Sequence, residues 1–319
     1  MSSVQLMLTN VQPHIGHDNL ANILEGNLKM YYDWALLKIG GWSEVSADVT
    51  GIYGGDYSQL RLVSDPNYTD GQVWEAARKD FVWESNIDYT DVTGGTIDPV
   101  VVGVPRVDGI PTAQSYYVNY PKGKIVFDTP ISTASDVHLT YSYRYAQIYR
   151  ADDAPWWQEL QFNSHRVDSS QFQQLGTGTW SLFGEHRVQL PAVVIETVPR
   201  GTSRGWELGS SSKLASRDML FHVYTETRSD RNNLMDIINL QNERRIYLFN
   251  TNDVIGSESW PLDFQGDLVN EGVGYEEFVS ATGYRWNICE MKNSTITSVN
   301  QVHPNLYNST IRTTMEVIV

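Results

Sequence analysis

The chain has 319 residues, of which 41% are hydrophobic, enough for a substantial core. Its formal net charge is −15, the wrong sign for a protein held on nucleic acid by phosphate neutralisation or on an anionic membrane surface. A single cysteine, Cys289, excludes an intrachain disulfide framework.

The composition also favours a β-rich protein. Charged residues make up only 19% of the chain, whereas Tyr (18) and Trp (10) are abundant. Many aromatic residues with few charges fit both a β core and protein–protein interfaces. The N-terminal MSSVQLMLTNVQPH resembles no signal peptide, and no stretch approaches the length of a membrane span. We therefore expect a protein made and used in a reducing cytosol, without a membrane partner.

The first predicted element is a long amphipathic helix, capped by Asp18 and stopped by Gly40 and Gly41. Its apolar residues recur at three- and four-residue spacing, as on one buried helix face. Tyr31, Tyr32 and Trp34 lie close together on this helix. They pack either within their own domain or against a neighbouring subunit, and the sequence leaves both alternatives open.

Short strands separated by turns follow. Residues 42–52 and 100–102 are predicted to be strands, and residues 71–83 fit either a helical turn or a hairpin. Two strands, at residues 116–120 and 125–127, flank a Pro121–Lys124 turn, and residues 137–149 alternate as one further strand. This pattern predicts a β-sandwich-like module that ends near residues 151–155.

The last part of the chain is organised around residues 219–250, which predict strand, helix and strand. Ser229 or Asp230 is the expected cap of a helix over residues 230–242, and Leu234, Ile237 and Ile238 form its apolar stripe. Strands are also predicted at residues 191–198, 284–292 and 306–319. Between the strand at residues 191–198 and the strand that begins at residue 219, residues 199–212 predict a flexible Gly/Ser-rich loop. This loop carries Arg200, Arg204 and Trp206.

These elements predict an α+β, β-rich fold. We expect an N-terminal helical segment (residues 1–45), a β-rich module (residues 46–152) and an α+β domain (residues 153–319). The last domain would contain an antiparallel sheet with one covering helix.

A search for reactive groups finds no nucleophile elbow, phosphate-binding loop or dinucleotide fingerprint. His14 and His17 lack the companion glutamate of a helical zinc site, His222 fits a sheet position, and Cys289 fits a buried apolar strand. Two adjacent carboxylate pairs, Asp152–Asp153 and Glu276–Glu277, are expected by chance among 38 acidic residues. The loop aspartates lack the spacing of an EF-hand calcium loop; they are Asp65, Asp70, Asp88 and Asp91. We predict neither an enzyme nor a bound cofactor or metal.

One segment carries a family resemblance: PAVVIETVPRGTSRGWELGSSSKLASRDMLFHVYTETRSDRNNLMDIINLQNERRIYLFN. It resembles the α+β core of tailed-bacteriophage neck and tail-completion proteins, notably tail terminators, with Leu208–Gly209 as the "LG" loop. The closing CEMKNSTITSVNQVHPNLYNSTIRTTMEVIV resembles the last hairpin of such proteins. The earlier YYVNYPKGKIVFDTPI is similar to small β modules of virion proteins.

The resemblance implies a structural virion protein, assembled in the host cytoplasm, that forms a homo-oligomeric ring at the neck or the top of the tail. Such rings are commonly hexameric, and they join head to tail around the DNA channel. The implied partners are further copies of the chain, neighbouring neck and tail (tube or sheath) proteins and, transiently, DNA. Arg200, Arg204 and Trp206 would then contact a subunit or DNA.

Two other functions fit parts of the sequence. A tail-fibre or tail-tip protein could bind a host saccharide through Trp and Tyr residues such as Trp156 and Trp157. A glycosidase could use one of the carboxylate pairs.

Overall fold

The computed structural model describes residues 20–48, 55–84, 87–162, 171–183, 186–207, 212–249, 254, 260–269, 275, 280 and 285–318. The helices are α1 (Leu20–Lys38), α2 (Gly55–Ser58), α3 (Pro155–Phe162) and α4 (Arg228–Asn239). The strands are β1 (Trp42–Val45), β2 (Arg61–Leu62), β3 (Val73–Glu75), β4 (Tyr89–Thr90), β5 (Thr96–Ile97), β6 (Arg106–Val107), β7 (Ile110–Pro111), β8 (Tyr116–Asn119), β9 (Lys124–Phe127), β10 (Val137–His138), β11 (Tyr141–Arg144), β12 (Gln147–Arg150), β13 (Phe172–Gly176), β14 (Thr179–Leu182), β15 (His186–Gln189), β16 (Ala192–Gly205), β17 (Lys213–Thr225), β18 (Arg245–Phe249), β19 (Arg285–His303) and β20 (Leu306–Ile318).

The predicted α+β, β-rich class is confirmed by a large sheet in the last part of the chain. Its six strands follow the order β12-β16-β17-β20-β19-β18. All neighbouring strands are antiparallel except β12, which runs parallel to β16 at one edge. In β17, Met219, Phe221 and Val223 are fully buried, as their period of two predicts for one covered face.

Two helices cover the same face of this sheet. The predicted helix, α4, buries Leu234 and Ile238, and α1 buries Leu24 and Tyr32 in the same hydrophobic core. A fully buried leucine contributes about 1.5–3 kcal/mol relative to an exposed one. The N-terminal helix therefore stabilises the sheet together with the helix beside it in sequence.

The packing therefore crosses the domain boundaries predicted at residues 45 and 152. Helix α1 belongs to the core of the C-terminal sheet. Strand β12, on the other side of the second boundary, is the edge strand of that sheet. Hydrophobic spacing shows which face of an element is buried but not which distant element covers it. The sequence therefore could not show that α1 and β12 belong to the C-terminal sheet.

The opposite face of the sheet packs against α3 and a small sheet of order β13-β14-β15. Trp156 from α3, Trp180 from β14 and Tyr224 from β17 meet in this second core. The Trp156 and Tyr224 rings are T-shaped, with centroids 5.3 Å apart, an arrangement that aromatic pairs favour.

A β module forms a third core. The predicted hairpin of β8 and β9 is confirmed, and it joins a sheet of order β2-β3-β9-β8. Residues 71–83 do not form the alternative of a helical turn at Val73–Glu75, because these residues form strand β3 and pair with β9. In the hairpin turn, Gly123 has φ +63 and a Cβ there would lie 2.6 Å from the Arg78 carbonyl oxygen, so only glycine fits without rearrangement.

The prediction of one strand over residues 137–149 is wrong. The segment is divided into β10, β11 and β12, which pair with β6, β1 and β16. Consecutive burial of Tyr141 and Ser142, both at 0% exposure, breaks the alternation of a single strand. Residues 100–102 likewise form only one bridge, between Val102 and Tyr141.

The cap of α4 also differs from expectation. Thr227 is the N-cap, and its hydroxyl oxygen accepts a hydrogen bond from the Asp230 backbone N–H at 3.1 Å. Its hydroxyl also donates to the Asp230 carboxylate at 2.6 Å. Asp230 therefore acts from the first turn as the cap's partner, and the helix ends at Asn239 rather than at residue 242. The expected cap of α1, Asp18, lies outside the described residues.

Candidate interaction surfaces

The segment predicted as a loop over residues 199–212 is mostly a β-hairpin. Strand β16 continues to Gly205, and β17 already begins at Lys213. Thr202, Ser203 and Arg204 pair with Ser216, Ala215 and Leu214. Gly, Ser and Thr are typical of loops, but here a third strand, β20, pairs with Leu214–Arg217 and extends the ladder. Long-range pairing has overridden local composition.

The outer side of this hairpin strand forms the first candidate surface. We call Gly201–Gly205 the Arg204 edge. Strand β12 covers only Ala192–Ile195 of β16, and Glu25 accepts a hydrogen bond from the Thr197 N–H at 2.9 Å. Beyond that point, no described strand pairs with the outer side of β16. The Arg204 edge therefore offers open backbone groups beside an exposed cation.

The second candidate surface lies on β19. We call Thr295–His303 the Val299 edge. Strand β18 pairs only with residues 285–290 of β19, so within the described residues the Val299 edge has β20 on one side and no strand on the other. It contains no Lys, Arg, Asp or Glu, and Ile296 and Val299 are 45% and 50% exposed.

Open strand edges are templates for pairing with another chain, and natural sheets usually protect them with charges, prolines or covering segments. The Val299 edge has three register irregularities, which twist it, but no charge. It therefore retains the features of a pairing surface.

The two edges occupy opposite corners of one sheet. The Arg204 edge lies at the end where Leu214 pairs with Ile318, whereas the Val299 edge lies at the end where Thr225 pairs with Tyr307. They are also on opposite sides, because β16 is the second strand from one side and β19 the second from the other. The antiparallel pairs from β16 through β17 and β20 to β19 make β16 and β19 run in opposite directions.

The three predicted contact residues of the former loop lie on or next to the Arg204 edge. Arg204 is exposed, and Trp206, just beyond the strand, is 46% exposed. Arg200 belongs to β16, but its side chain lies outside the described part of the structure. The structure thus brings Arg204 and Trp206 together at one hairpin end.

The aromatic residues of α1 are held mainly by their own chain. Tyr32 is 3% exposed and packs edge-on against Phe221, with ring centroids 5.4 Å apart, which leaves it no surface for a neighbour. Tyr31 and Trp34 are half-buried against Tyr275. The Tyr31 hydroxyl donates a hydrogen bond to Gln241 Oε1 at 3.0 Å. Tyr32 therefore packs within its own chain, which is the first of the two alternatives that the sequence left open.

The residues examined for chemistry mostly occupy structural positions. His222 lies in β17 with its Nε2 3.0 Å from Glu196 Oε2. Cys289 is buried, and burial followed by the nearby Glu290 charge raises the pKa of its thiol, which disfavours the nucleophilic thiolate. Trp156 and Trp157 are each 5% exposed, so neither presents a ring face to a sugar.

The acidic candidates remain scattered. Asp153 pairs with Arg150 at 2.8 Å on the surface, and Asp91 accepts hydrogen bonds from the Thr93 and Gly95 backbone N–H groups of its own turn. Among the residues that the structure describes, no three His, Cys, Asp or Glu side chains are grouped to hold a metal ion. His14, His17, Glu276 and Glu277 lie outside the described ranges.

No family model matches the chain, and no curated protein matches it. None of the helices within the described ranges is both long and apolar enough to cross a membrane.

The Val299 edge was missed by sequence reasoning, which placed residues 293–305 between two strands. The signal was nevertheless present. The edge is rich in β-branched residues, among them Thr295, Ile296, Thr297 and Val299. No Gly or Pro occurs between Thr295 and Pro304. The apolar residues there do not alternate strictly because bulges shift the register, for example between Ile296 and Ser298.

Proposed function

We propose that this chain is a structural virion protein of a tailed bacteriophage that forms a homo-oligomeric ring in the neck or at the top of the tail. The observation that carries the proposal is the pair of open edges, one on each side of the same sheet. An interface that joins unlike surfaces of identical subunits is heterologous, and it generates a closed ring when the rotation between subunits closes.

The directions of the two edges suit such an interface. Copies related by rotation about an axis along the strands keep their strand directions. Because β16 and β19 run in opposite directions, the Arg204 edge of one copy would pair antiparallel with the Val299 edge of the next. Antiparallel pairing is the slightly more stable arrangement per residue.

The offset of the edges has a consequence for the assembly. Since they lie at opposite ends of the sheet, neighbours must shift along the strands to meet. A staggered register is what tilts the strands of a closed sheet relative to its axis. The proposed ring therefore has tilted strands rather than strands parallel to the channel.

Charge supports the same role. A chain of net charge −15 does not hold DNA by neutralising phosphates, so DNA would pass through the ring without adhering. Arg204 and Trp206 would contact the next subunit, and the remaining surfaces would meet neighbouring neck and tail proteins. The residues that suggested saccharide binding, Trp156 and Trp157, are buried. Their burial argues against a tail-fibre or tail-tip protein that binds a host saccharide through these rings.

The test is the assembly state of the purified full chain, measured by sedimentation velocity and negative-stain electron microscopy. We expect closed rings. Val299→Lys places a cation opposite the Arg204 edge and should weaken the ring by roughly fivefold per interface at low salt, whereas Val299→Glu should not. Ile288→Lys is the matched control, because Ile288 is similarly exposed (46%) on the same strand but within its β18-covered part.

A protein that stays monomeric at all accessible concentrations would refute the ring. Equal weakening by Val299→Lys and Ile288→Lys would show that the ring uses another surface. Immunogold labelling of intact virions would test the location, with label expected at the head–tail junction.

A further inference from the structure

A cavity of about 490 Å³ lies between α1, the β8–β9 turn and residues 260–266. Its volume falls within the range of sites that bind small molecules or single side chains. Helix α1 contributes Lys29, Met30 and Asp33 to its wall. The cavity is separate from both sheet edges, so what it binds is independent of the ring.

The inner wall of the cavity is built from buried charges. Arg144, only 3% exposed, donates to both carboxylate oxygens of Glu84 at 2.5 and 2.6 Å. Its Nε lies 3.4 Å from Asp80 Oδ1, and its Nη1 donates to the Asp33 carbonyl oxygen at 3.2 Å. Lys29 Nζ lies 2.5 Å from Asp33 Oδ2. The five side chains form one network across α1 and the β module.

This network has one negative charge too many. Within the described part of the chain, only Arg144 and Lys29 form ion pairs with Asp33, Asp80 and Glu84. Two other cations, Lys122 and Arg150, also border the cavity. Lys122 is exposed to solvent, and Arg150 is already paired with Asp153 at 2.8 Å. Neither neutralises the surplus charge at the inner wall.

One oxygen of the network also lacks a partner. Asp33 is 9% exposed, and its Oδ1 is buried and has no hydrogen-bond partner among the residues that the structure describes. A buried carboxylate oxygen without a donor is costly. Because Asp33 lines the cavity, a cation bound there would lie beside this carboxylate.

The remainder of the wall suits a cation on an apolar stem. Trp83 and Trp260 line the cavity together with Met30, and Phe264 lies at its border with 96% of its surface exposed. Aromatic faces attract ammonium and guanidinium groups, and apolar side chains cover their alkyl stems. A metal ion fits less well, because no three metal-ligating side chains of the described residues are grouped.

We propose that this cavity binds an alkylguanidinium or alkylammonium group. The cation neutralises the surplus charge beside the carboxylates of Asp33 and Asp80, and its stem packs against Trp83, Trp260 and Met30. The group can belong to a free small molecule or to an Arg or Lys side chain of a protein.

The test is calorimetric titration of the full chain at pH 8 with N-acetyl-arginine amide, compared with N-acetyl-citrulline amide, which has the same shape without the charge. We expect the arginine compound to bind at least about tenfold more tightly, as hydrogen bonds to charged groups predict. Agmatine serves as the free small-molecule probe. Binding of agmatine alone would assign a free ligand, and binding of the arginine amide would assign a protein side chain.

Asp33→Asn should reduce the affinity about tenfold, whereas Asp236→Asn, the same change on the exposed face of α4, should leave it unchanged. Phe264→Ala should weaken binding severalfold. If Asp33→Asn fails to fold, Phe264→Ala still tests the proposal, because Phe264 makes little contact with the core and its replacement should not unfold the protein. Measurable but equal binding of the citrulline and arginine compounds, unchanged affinity in a folded Asp33→Asn or in Phe264→Ala, or no heat from either agmatine or the arginine amide at millimolar concentration would overturn the proposal.

Discussion

Asp80 shows how one partly buried side chain makes the stability of the molecule depend on pH. Burial raises the pKa of this carboxyl from 3.8 to about 6, although Arg144 lowers it. The folded state therefore binds the proton more tightly than the unfolded state does. The contribution to stability is complete below the unfolded pKa and is lost as the pH rises through about 6.

We therefore predict that the free energy of unfolding contains a term from Asp80 that falls by about 2 kcal/mol between pH 4 and 7. Asp80→Asn should remove this fall and raise stability at pH 7, because Arg144 keeps Glu84 as its partner. Urea unfolding of both proteins across this range measures the difference. Asp236→Asn is the control on an exposed helix face. Parallel pH profiles of wild type and Asp80→Asn would contradict the assignment.

A buried polar side chain adds hydrogen bonds to the apolar packing of α1 on the sheet. Asn27 is fully buried. Its Nδ2 donates to the Phe249 carbonyl oxygen at 2.6 Å, and its Oδ1 accepts from the Phe249 N–H at 3.0 Å. Asn27 thus pairs with the end of β18 as a neighbouring strand would, and it satisfies both backbone groups of Phe249.

Replacing this side chain should weaken the attachment of the helix to the strand. Asn27→Leu removes both hydrogen bonds to the buried Phe249 backbone, and we expect a loss of about 3 kcal/mol in the free energy of unfolding. Asn233→Leu, on the exposed face of α4, should change stability by less than about 0.5 kcal/mol. Urea unfolding measures both. If the two variants differed by less than about 1 kcal/mol, the role of Asn27 would be refuted.

What the sequence predicts at the level of elements is what local spacing determines. The i, i+3, i+4 recurrence of Leu20, Ile23 and Leu24 defined α1, and the Pro121–Lys124 turn defined the β8–β9 hairpin. The Gly/Ser-rich stretch after Pro199 predicted a loop, whereas the structure has a strand there. Its pairing with Lys213–Arg217 depends on β20, about a hundred residues later in the chain.

The sites were harder to predict than the elements. Arg204 and Trp206 were recognised as interaction residues from their type, but the edge beside them required the strand order of the sheet. The charge network of the cavity joins Lys29 and Asp33 to Asp80, Glu84 and Arg144. No spacing rule connects residues that far apart in the chain, so only the folded arrangement shows the surplus charge.

For the whole molecule, the decisive question is whether unlike edges meet. Two copies could also pair through identical edges, which would give a twofold dimer instead of a ring. Charge exchange distinguishes these arrangements. Val299→Lys repels an Arg204 edge, but it equally repels a second Val299→Lys edge, so the single variant weakens both kinds of assembly.

The double variant Val299→Lys/Arg204→Glu separates them. If the Val299 edge meets the Arg204 edge of the next copy, the new Lys and Glu attract each other, and ring formation should return to within about twofold of wild type. If Val299 edges meet each other, Arg204→Glu lies elsewhere and no rescue occurs. Sedimentation velocity at low salt measures the association, and added salt should reduce the effects of the single and double variants alike, since exposed charges are screened within about 10 Å at 0.1 M. Rescue at low salt that fades as salt is added would therefore identify a heterologous interface built from these two edges.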